Sequence, residues 1–383
     1  MKIFSKIILF ILTISFCIEQ NLAASEKIKI GLLVPLSGKN AYVGHSIVKS
    51  VKLAINKINN DNIEIFPKDT ENDPSMTLKV AKDLNKLGVK IVIGPIFNKN
   101  LVYLDELKEM TFISLTNKTL NIPKNVISAG INSLSQMNAI IKFQKFKELK
   151  KTIFLIPDSH YKDEIKTATK ESKAKIKKTY VYDSDPTKLT KQIEKITKYK
   201  ARQLDLEREI RKLENSNEAN KEKQIEKLKK KDTIGSVNFD SIIIADFDES
   251  LKSITTSLLY VDVHPKEIFF ITLNQWFDSS LFEEKSSQPL YFPSINYENY
   301  KKFSKNYYSE FNEYPNQLSI ISYDLVGLIY YLILQNNFTI DERLFIRKNK
   351  FKGTIGVFEI KKSKISHILN FYKIEENKFK KIF

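Results

Sequence analysis

Gly31 to Lys39 comes close to a phosphate-gripping loop, with Gly38-Lys39 following a strand-like run. That loop also needs glycine at position 33 and a hydroxyl at position 40 to wrap a triphosphate and hold its magnesium ion. Leu33 and Asn40 stand there instead, so nucleotide hydrolysis is not expected. No Gly-x-Ser-x-Gly turn is present to raise a serine nucleophile at the end of a strand. His45, His160, His264 and His367 are far apart in the chain, with no i,i+4 pair on which to seat a metal. They read as surface or loop residues. Carboxylate pairs such as Asp246 with Asp248 occur, but no spacing singles out glycosidase chemistry. The expectation is a non-enzyme without metal or cofactor.

What remains is binding chemistry. Three segments carry hydroxyls, amides and free backbone N–H groups just after strand-like runs: Pro35 to Asn40, Gly94 to Asn100, and Thr116 to Lys118. Open α/β sheets bind ligands at the carboxyl ends of their strands. Ser37, Asn40, Phe97, Asn98, Thr116 and Asn117 are therefore candidates to line a cleft for a small polar molecule. Ser37 and Asn117 would serve equally well as ordinary helix caps.

Those loops need a scaffold, and the periodicity supplies one. Ile28 to Val34 predicts a buried strand, and Ile47, Val51, Ile55 and Ile58 recur at helical spacing. Asn62 to Phe66, Lys90 to Ile93 and Thr111 to Leu115 predict three more strands. Helices are expected over the segment opened by Asp73-Pro74 and over the one carrying Leu101, Leu104 and Leu107. A second β-α series begins after Ile131, with strands at Thr152–Ile156, Tyr180–Tyr182, Ser241–Ala245 and Ile268–Thr272. Two tandem series of this kind predict an α/β protein of two Rossmann-like lobes with a cleft between them. The expected lobes are 28–130 with 293–346, and 131–292 with 347–383. The tail adds helices over Tyr297–Phe311 and Ser319–Leu334, one alternating strand over Phe351–Ile360, and a second over Ile365–Ile374.

Residues 198–232 differ in character, with 12 Lys and Arg against 8 Asp and Glu. Glu207–Arg211 and Glu226–Lys230 are i,i+4 pairs in the favourable order. With few apolar positions and a polar break at Asn215–Asn220, this reads as a charged helical hairpin inserted in the second lobe. It has too few heptads for a strong coiled coil.

Lys2 and Lys6, the apolar run Ile7–Cys17 and the small residues Ala23-Ala24-Ser25 have the form of an export signal over 1–24. The apolar run is about half of the ~20 residues a spanning helix needs. Retention as an anchor and lipid attachment at Cys17 stay open as alternatives. Cys17 is the only cysteine, so a chain cleaved after it has no disulfide or thiolate site. The formal charge of +17 at pH 7 is spread along the whole chain and comes with no nucleic-acid motif. Its acidic partners would be headgroups, wall polymers or a protein surface.

The run IGLLVPLSGKNAYVG from Ile30 to Gly44 resembles the opening of leucine/isoleucine/valine-binding proteins, which have the type I periplasmic-binding-protein fold. IVIGPIFNKNL, FISLTN, IFLIPDSHYKDEI, the helical insert and SIISYDLVGLIYYL follow in an order similar to that of the penicillin-binding protein activator (LppC-type) branch. The resemblance implies a non-catalytic periplasmic protein that stimulates a peptidoglycan synthase through that synthase's periplasmic domain. The wider fold implies an alternative, the solute-binding component of an importer working with an ABC permease. Amino-acid binders of this fold hold the ligand with small and hydroxyl residues in the loops after the third and fourth strands, completed by an aromatic and an acid. Asp246 is the candidate for the acid that meets the ammonium, and Tyr161 is a further candidate to line the cleft. Phe97 and Lys118 depart from the small-and-hydroxyl pattern.

Overall fold

The computed structural model describes residues 27–273, 276–361 and 363–383. The expected export signal, with Cys17 and the cleavage positions, lies outside the described residues. Among the described residues no helix is long and apolar enough to cross a membrane.

Two separate sheets organise the chain. The first holds β1 (Ile28–Val34), β2 (Ile63–Asp69), β3 (Ile91–Ile93), β4 (Thr111–Ser114) and β5 (Val126–Ser128), in the spatial order β2-β1-β3-β4-β5 and wholly parallel. Helices α1 (Ala41–Ile58) and α2 (Pro74–Lys86) are its crossovers. Six of the seven β1 residues are buried, as a strand covered on both faces requires.

The second sheet contains β6 (Thr152–Pro157), β7 (Lys178–Tyr182), β8 (Ser241–Ile244), β9 (Phe269–Thr272) and β10 (Leu290–Ser294), all parallel. Two antiparallel strands, β14 (Asn370–Glu375) and β15 (Lys378–Lys381), extend it beyond β10. Its helices are α3 (Ser133–Phe146), α4 (Lys162–Ser172), α5 (Pro186–Thr197) and α8 (Asp248–Tyr260), while α6 (Tyr199–Glu214) and α7 (Lys221–Lys229) form the hairpin. Helices α9 (Tyr297–Phe311) and α10 (Ser319–Gln335) follow, and α10 packs along α1 of the first lobe. Ser46 and Ser50 of α1 seal that contact with buried hydrogen bonds to Ser319 of α10.

The apolar spacing at Leu101, Leu104 and Leu107 gives no α-helix. It makes two 3₁₀ turns, Asn98–Leu101 and Leu104–Glu106. The three leucines recur every third residue, which lines one edge of a 3₁₀ spiral but drifts around an α-helix, and all three are buried. The expected strand Phe351–Ile360 is two strands, β11 (Asn349–Lys352) and β12 (Val357–Lys361), joined by a turn at 353–356. Gly356 has φ +143°, which lets the chain reverse there. Asp324 of α10 accepts from Thr354 N and Ile355 N, each at 2.8 Å, and holds the turn. The run Ile365–Ile374 is likewise divided. β13 (Lys364–Ile368) pairs with β12, and after Leu369 the chain enters β14 of the large sheet.

β5, α5 and β15 were not anticipated. The start of α5 carries a readable signal, since Asp185 accepts from Thr187 N and Pro186 opens the helix.

The hairpin is anchored more firmly than its charge implies. Tyr199 belongs to the second-lobe core, and the buried Arg202 donates to Thr233 Oγ1 and to the Val261 carbonyl. His367 also departs from expectation. It is a buried strand residue, its Nε2 2.9 Å from the Ala129 carbonyl.

Candidate functional site

The loops at the carboxyl ends of β3, β4 and β5 meet loops of the second lobe, as the topology dictates. Gly94 makes the first loop attainable. Its φ is +104°, and a Cβ there would lie 2.2 Å from the Leu33 carbonyl oxygen. Gly130, on the crossing between lobes, passes so close to β4 that a Cβ would lie 2.5 Å from the Thr116 carbonyl oxygen.

A cavity of about 370 Å³ lies between the lobes. Phe97, Asn98, Thr116 and Asn117 from the first lobe line it. Ile96, Leu115, Ile131, Trp276, Leu318 and Ile321 supply most of its apolar wall, and Gln136, His160 and Ser294 add polar groups. Among the described residues, none that lines it is Asp, Glu, Lys or Arg. Thr116 is buried, and its hydroxyl accepts from Lys118 N at 3.2 Å, inside its own loop.

A second chamber of about 310 Å³ shares Asn98, Asn117 and His160 with the first. Lys118, Tyr161, Glu164 and Phe247 line it, and the Tyr161 and Phe247 rings stand 6.3 Å apart. Here the lobes are joined directly. Glu164, in the first turn of α4, accepts through Oε1 from Thr119 N at 2.7 Å and from the Thr119 hydroxyl, and through Oε2 from Leu120 N at 3.1 Å.

Asp246 does not line either chamber. It is buried, with Oδ2 accepting from the Tyr182 hydroxyl at 2.6 Å and Oδ1 from Phe247 N at 3.1 Å. Burial pushes its carboxyl above the ordinary value, with donors from Tyr182, Phe247 and Tyr161 working the other way. Burial, aided by the neighbouring carboxylate, pushes both tyrosine hydroxyls upward as well, so they stay protonated donors. Asp246 is thus committed to two tyrosines.

Ser37 and Asn40 lie outside both chambers. Ser37 donates to Asp69, which also accepts from Leu36 N at 2.7 Å and Glu71 N at 2.8 Å. Burial opposes the charge on Asp69, but these donors prevail and lower its pKa. Asn40 precedes α1 without capping it through its side chain.

Trp276, His160, Gln136, Tyr182 and Glu164 were not singled out in the sequence. Only Glu164 carried a local signal, as an acid in the first turn of a helix. Among the described residues, no group of three or more His, Cys, Asp or Glu is placed to hold a metal.

Residues 27–206 match the model of a family described as periplasmic binding protein. No curated protein sequence matches. Among solved structures, a putative branched-chain amino acid ABC transporter protein from Rhodospirillum rubrum superposes with a TM-score of 0.69 at 12% identity, covering 93% of this chain and 100% of that one. The C-domain of LpoA from Haemophilus influenzae, described as a regulator of PBP1A, gives 0.60 at 14% identity, with 93% and 100% covered. LivJ from Streptococcus pneumoniae in complex with isoleucine gives 0.54 at 17% identity, with 93% and 99% covered. These relatives are binding proteins or a regulator and not enzymes, and at such identities the likeness is one of fold. With two largely parallel sheets, each flanked by helices, and a cavity between them, this chain has the type I periplasmic-binding-protein fold.

Proposed function

We propose that this chain is an exported, non-catalytic protein that regulates peptidoglycan synthesis by contacting the periplasmic domain of a peptidoglycan synthase. The observation that carries the reading is a cavity whose described lining holds no acid, with Asp246 buried outside it and bonded to Tyr182. An amino acid brings a carboxylate and an ammonium, and burying either without an opposite charge or several donors costs several kcal/mol, roughly enough to abolish binding. Asn98 and Asn117 offer donors to a carboxylate, but among the described lining residues none is an acid to receive the ammonium. A cleft retired from solute capture leaves the outer surfaces to do the work, and the likeness in fold to a PBP1A regulator agrees with that.

The second reading is a solute receptor for an ABC permease, and the size of the cavity supports it. About 370 Å³ lies within the range of small-molecule sites. Its solute would be uncharged, gripped by Asn98, Asn117 and the Trp276 face. The test is a pull-down with the periplasmic domain of a bifunctional synthase. A complex that weakens as salt rises is expected from the basic surface. Absence of a complex, together with an uncharged small molecule retained on the purified protein, would transfer the assignment to the second reading.

A further inference from the structure

The two helices of the hairpin treat their charges differently. On α6, Arg208 pairs with Asp205 at 2.7 Å, Arg211 with Glu207 at 3.2 Å and Lys212 with Glu209 at 3.9 Å. On the return helix, residues 221–231 hold six lysines against two glutamates. Lys230 pairs with Glu226 at 2.7 Å, whereas Lys223, Lys227, Lys229 and Lys231 make no ion pair among the described residues and are exposed. Lys223, Lys227 and Lys230 sit at i, i+4 and i+7, one face of the helix. Ile225 and Leu228, the partly covered positions, fall on the opposite side, and α7 buries no residue fully. The 16 residues of α6 make an arm about 24 Å long, and α7 returns along it toward the base, where Ile234 N bonds the Arg202 carbonyl.

We propose that the lysine face of α7 docks on an anionic phospholipid surface. Nothing on that face offers a pocket or aromatic ring to receive a protein side chain, since its apolar residues are turned inward. Lysines act as hydrated point charges that respond to charge density rather than shape, and a headgroup plane is a target of that kind. Juxtaposed lysines are attracted to such a surface over about a Debye length. The proposal stands apart from the reading of the cleft.

The test is co-sedimentation of the full chain with vesicles of phosphatidylglycerol and phosphatidylcholine, against phosphatidylcholine alone, at about 0.15 M salt. A triple variant, Lys223→Glu, Lys227→Glu and Lys230→Glu, should bind the anionic vesicles at least about a hundredfold more weakly, from a factor of about five per lysine lost. A control triple, Lys79→Glu, Lys124→Glu and Lys305→Glu, makes the same change of net charge at exposed positions elsewhere and should bind like the unaltered chain. Thermal melting checks that both variants are folded. Equal losses in the two triples would mean that overall charge, and not this arm, governs binding. Failure of the unaltered chain to sediment with anionic vesicles would overturn the proposal outright, as would binding that an acidic peptide displaces but added anionic lipid does not.

Discussion

Glu164 Oε1 lies 2.7 Å from the backbone nitrogen of Thr119, and the two residues belong to different lobes. Thr119 follows β4 of the first sheet, and Glu164 opens α4 of the second. One carboxylate thus takes three donors from a single loop, in the first turn of a helix whose dipole favours its charge. This clasp sits at the rim of the second chamber and fixes how far the lobes stand apart.

Replacing Glu164 with Ala should therefore loosen the lobes. The expected cost is about 1.5–3 kcal/mol, typical of hydrogen bonds to a charged group. Small-angle scattering should show a larger radius of gyration, and Glu164→Gln, which retains an acceptor oxygen, should fall between. An Ala variant with unchanged scattering and melting would show that the crossings alone set the spacing.

A cavity whose described lining holds no acid leads to a binding expectation. Leucine, isoleucine and valine should give no measurable heat at millimolar concentration, a level that detects an affinity as weak as about −4 kcal/mol. Freeing Asp246 should not rescue binding, because Tyr182→Phe leaves a buried carboxyl short of its 2.6 Å donor and should cost about 1–3 kcal/mol of stability. Micromolar calorimetric binding of any of the three amino acids by the unaltered chain would reverse this.

How much of this was legible is best judged residue by residue. Ile28–Val34 with Pro35 after it, and Phe97, Asn98, Thr116 and Asn117, could be placed because strand runs and the strand-end rule are local signals. Asp246 was recognised as an acid near the cleft. Its fate was not legible, because Tyr182 lies 64 residues away and reaches it only once β7 and β8 flank β6. Trp276 and His160 enter the cavity through the meeting of lobes, which no periodicity encodes. Ser37 was misjudged because Asp69, at the end of β2, competes for its hydrogen bonds. The hinge region was hardest. Leu369 divides one apolar run between two sheets, a choice made by tertiary pairing and not by β-propensity.

Two buried groups should give opposite responses to acid. His367 is held near pKa 4 by burial, against 6.5 when free, though its contacts with the Ala129 and Gly130 carbonyls work the other way. Its folded form binds fewer protons than the unfolded chain between these values, so it removes stability as pH falls from 6.5 through 4. Asp324 is pushed up to about 6 by burial, from 3.8, despite the donors of Ile355 and Thr354. Its contribution is complete below 3.8 and is lost as pH rises through 6. Each amounts to about 3 kcal/mol, at about 1.4 kcal/mol per pKa unit, and the two nearly cancel. Relative to the unaltered chain, His367→Gln should gain stability as pH drops from 6.5 to 4, and Asp324→Asn should lose it from 6 to 3.8. Urea unfolding across that range is the measurement, and parallel pH profiles for all three proteins would refute the assignment.

The hairpin divides into an anchored base and a free tip, and this sets the last expectation. Tyr199 packs in the second-lobe core, and Arg202 bonds Thr233 and Val261 while its carbonyl accepts from Ile234 N at 3.3 Å. Leu206 and Leu213 are also buried, yet neither joins any of the three core clusters. Replacing residues 205–230 with a short Gly/Ser linker removes exposed ion pairs worth about 0.3–0.5 kcal/mol each and the hairpin's own packing. The melting temperature should fall by no more than about 4 °C, since these losses are local to the arm and a kcal/mol lost from the lobes shifts a chain of this size by about 2–4 °C. Removing 198–232 entirely also takes out Tyr199, whose burial is worth about 1.5–3 kcal/mol, and the Arg202 bonds, at about 1.5–3 kcal/mol for a charged donor. That deletion should melt lower by roughly 6 °C or more. Equal melting of the two deletion proteins would show that Tyr199 and Arg202 do not hold the base. A large loss in the shorter one would show that the tip packs on the lobes after all.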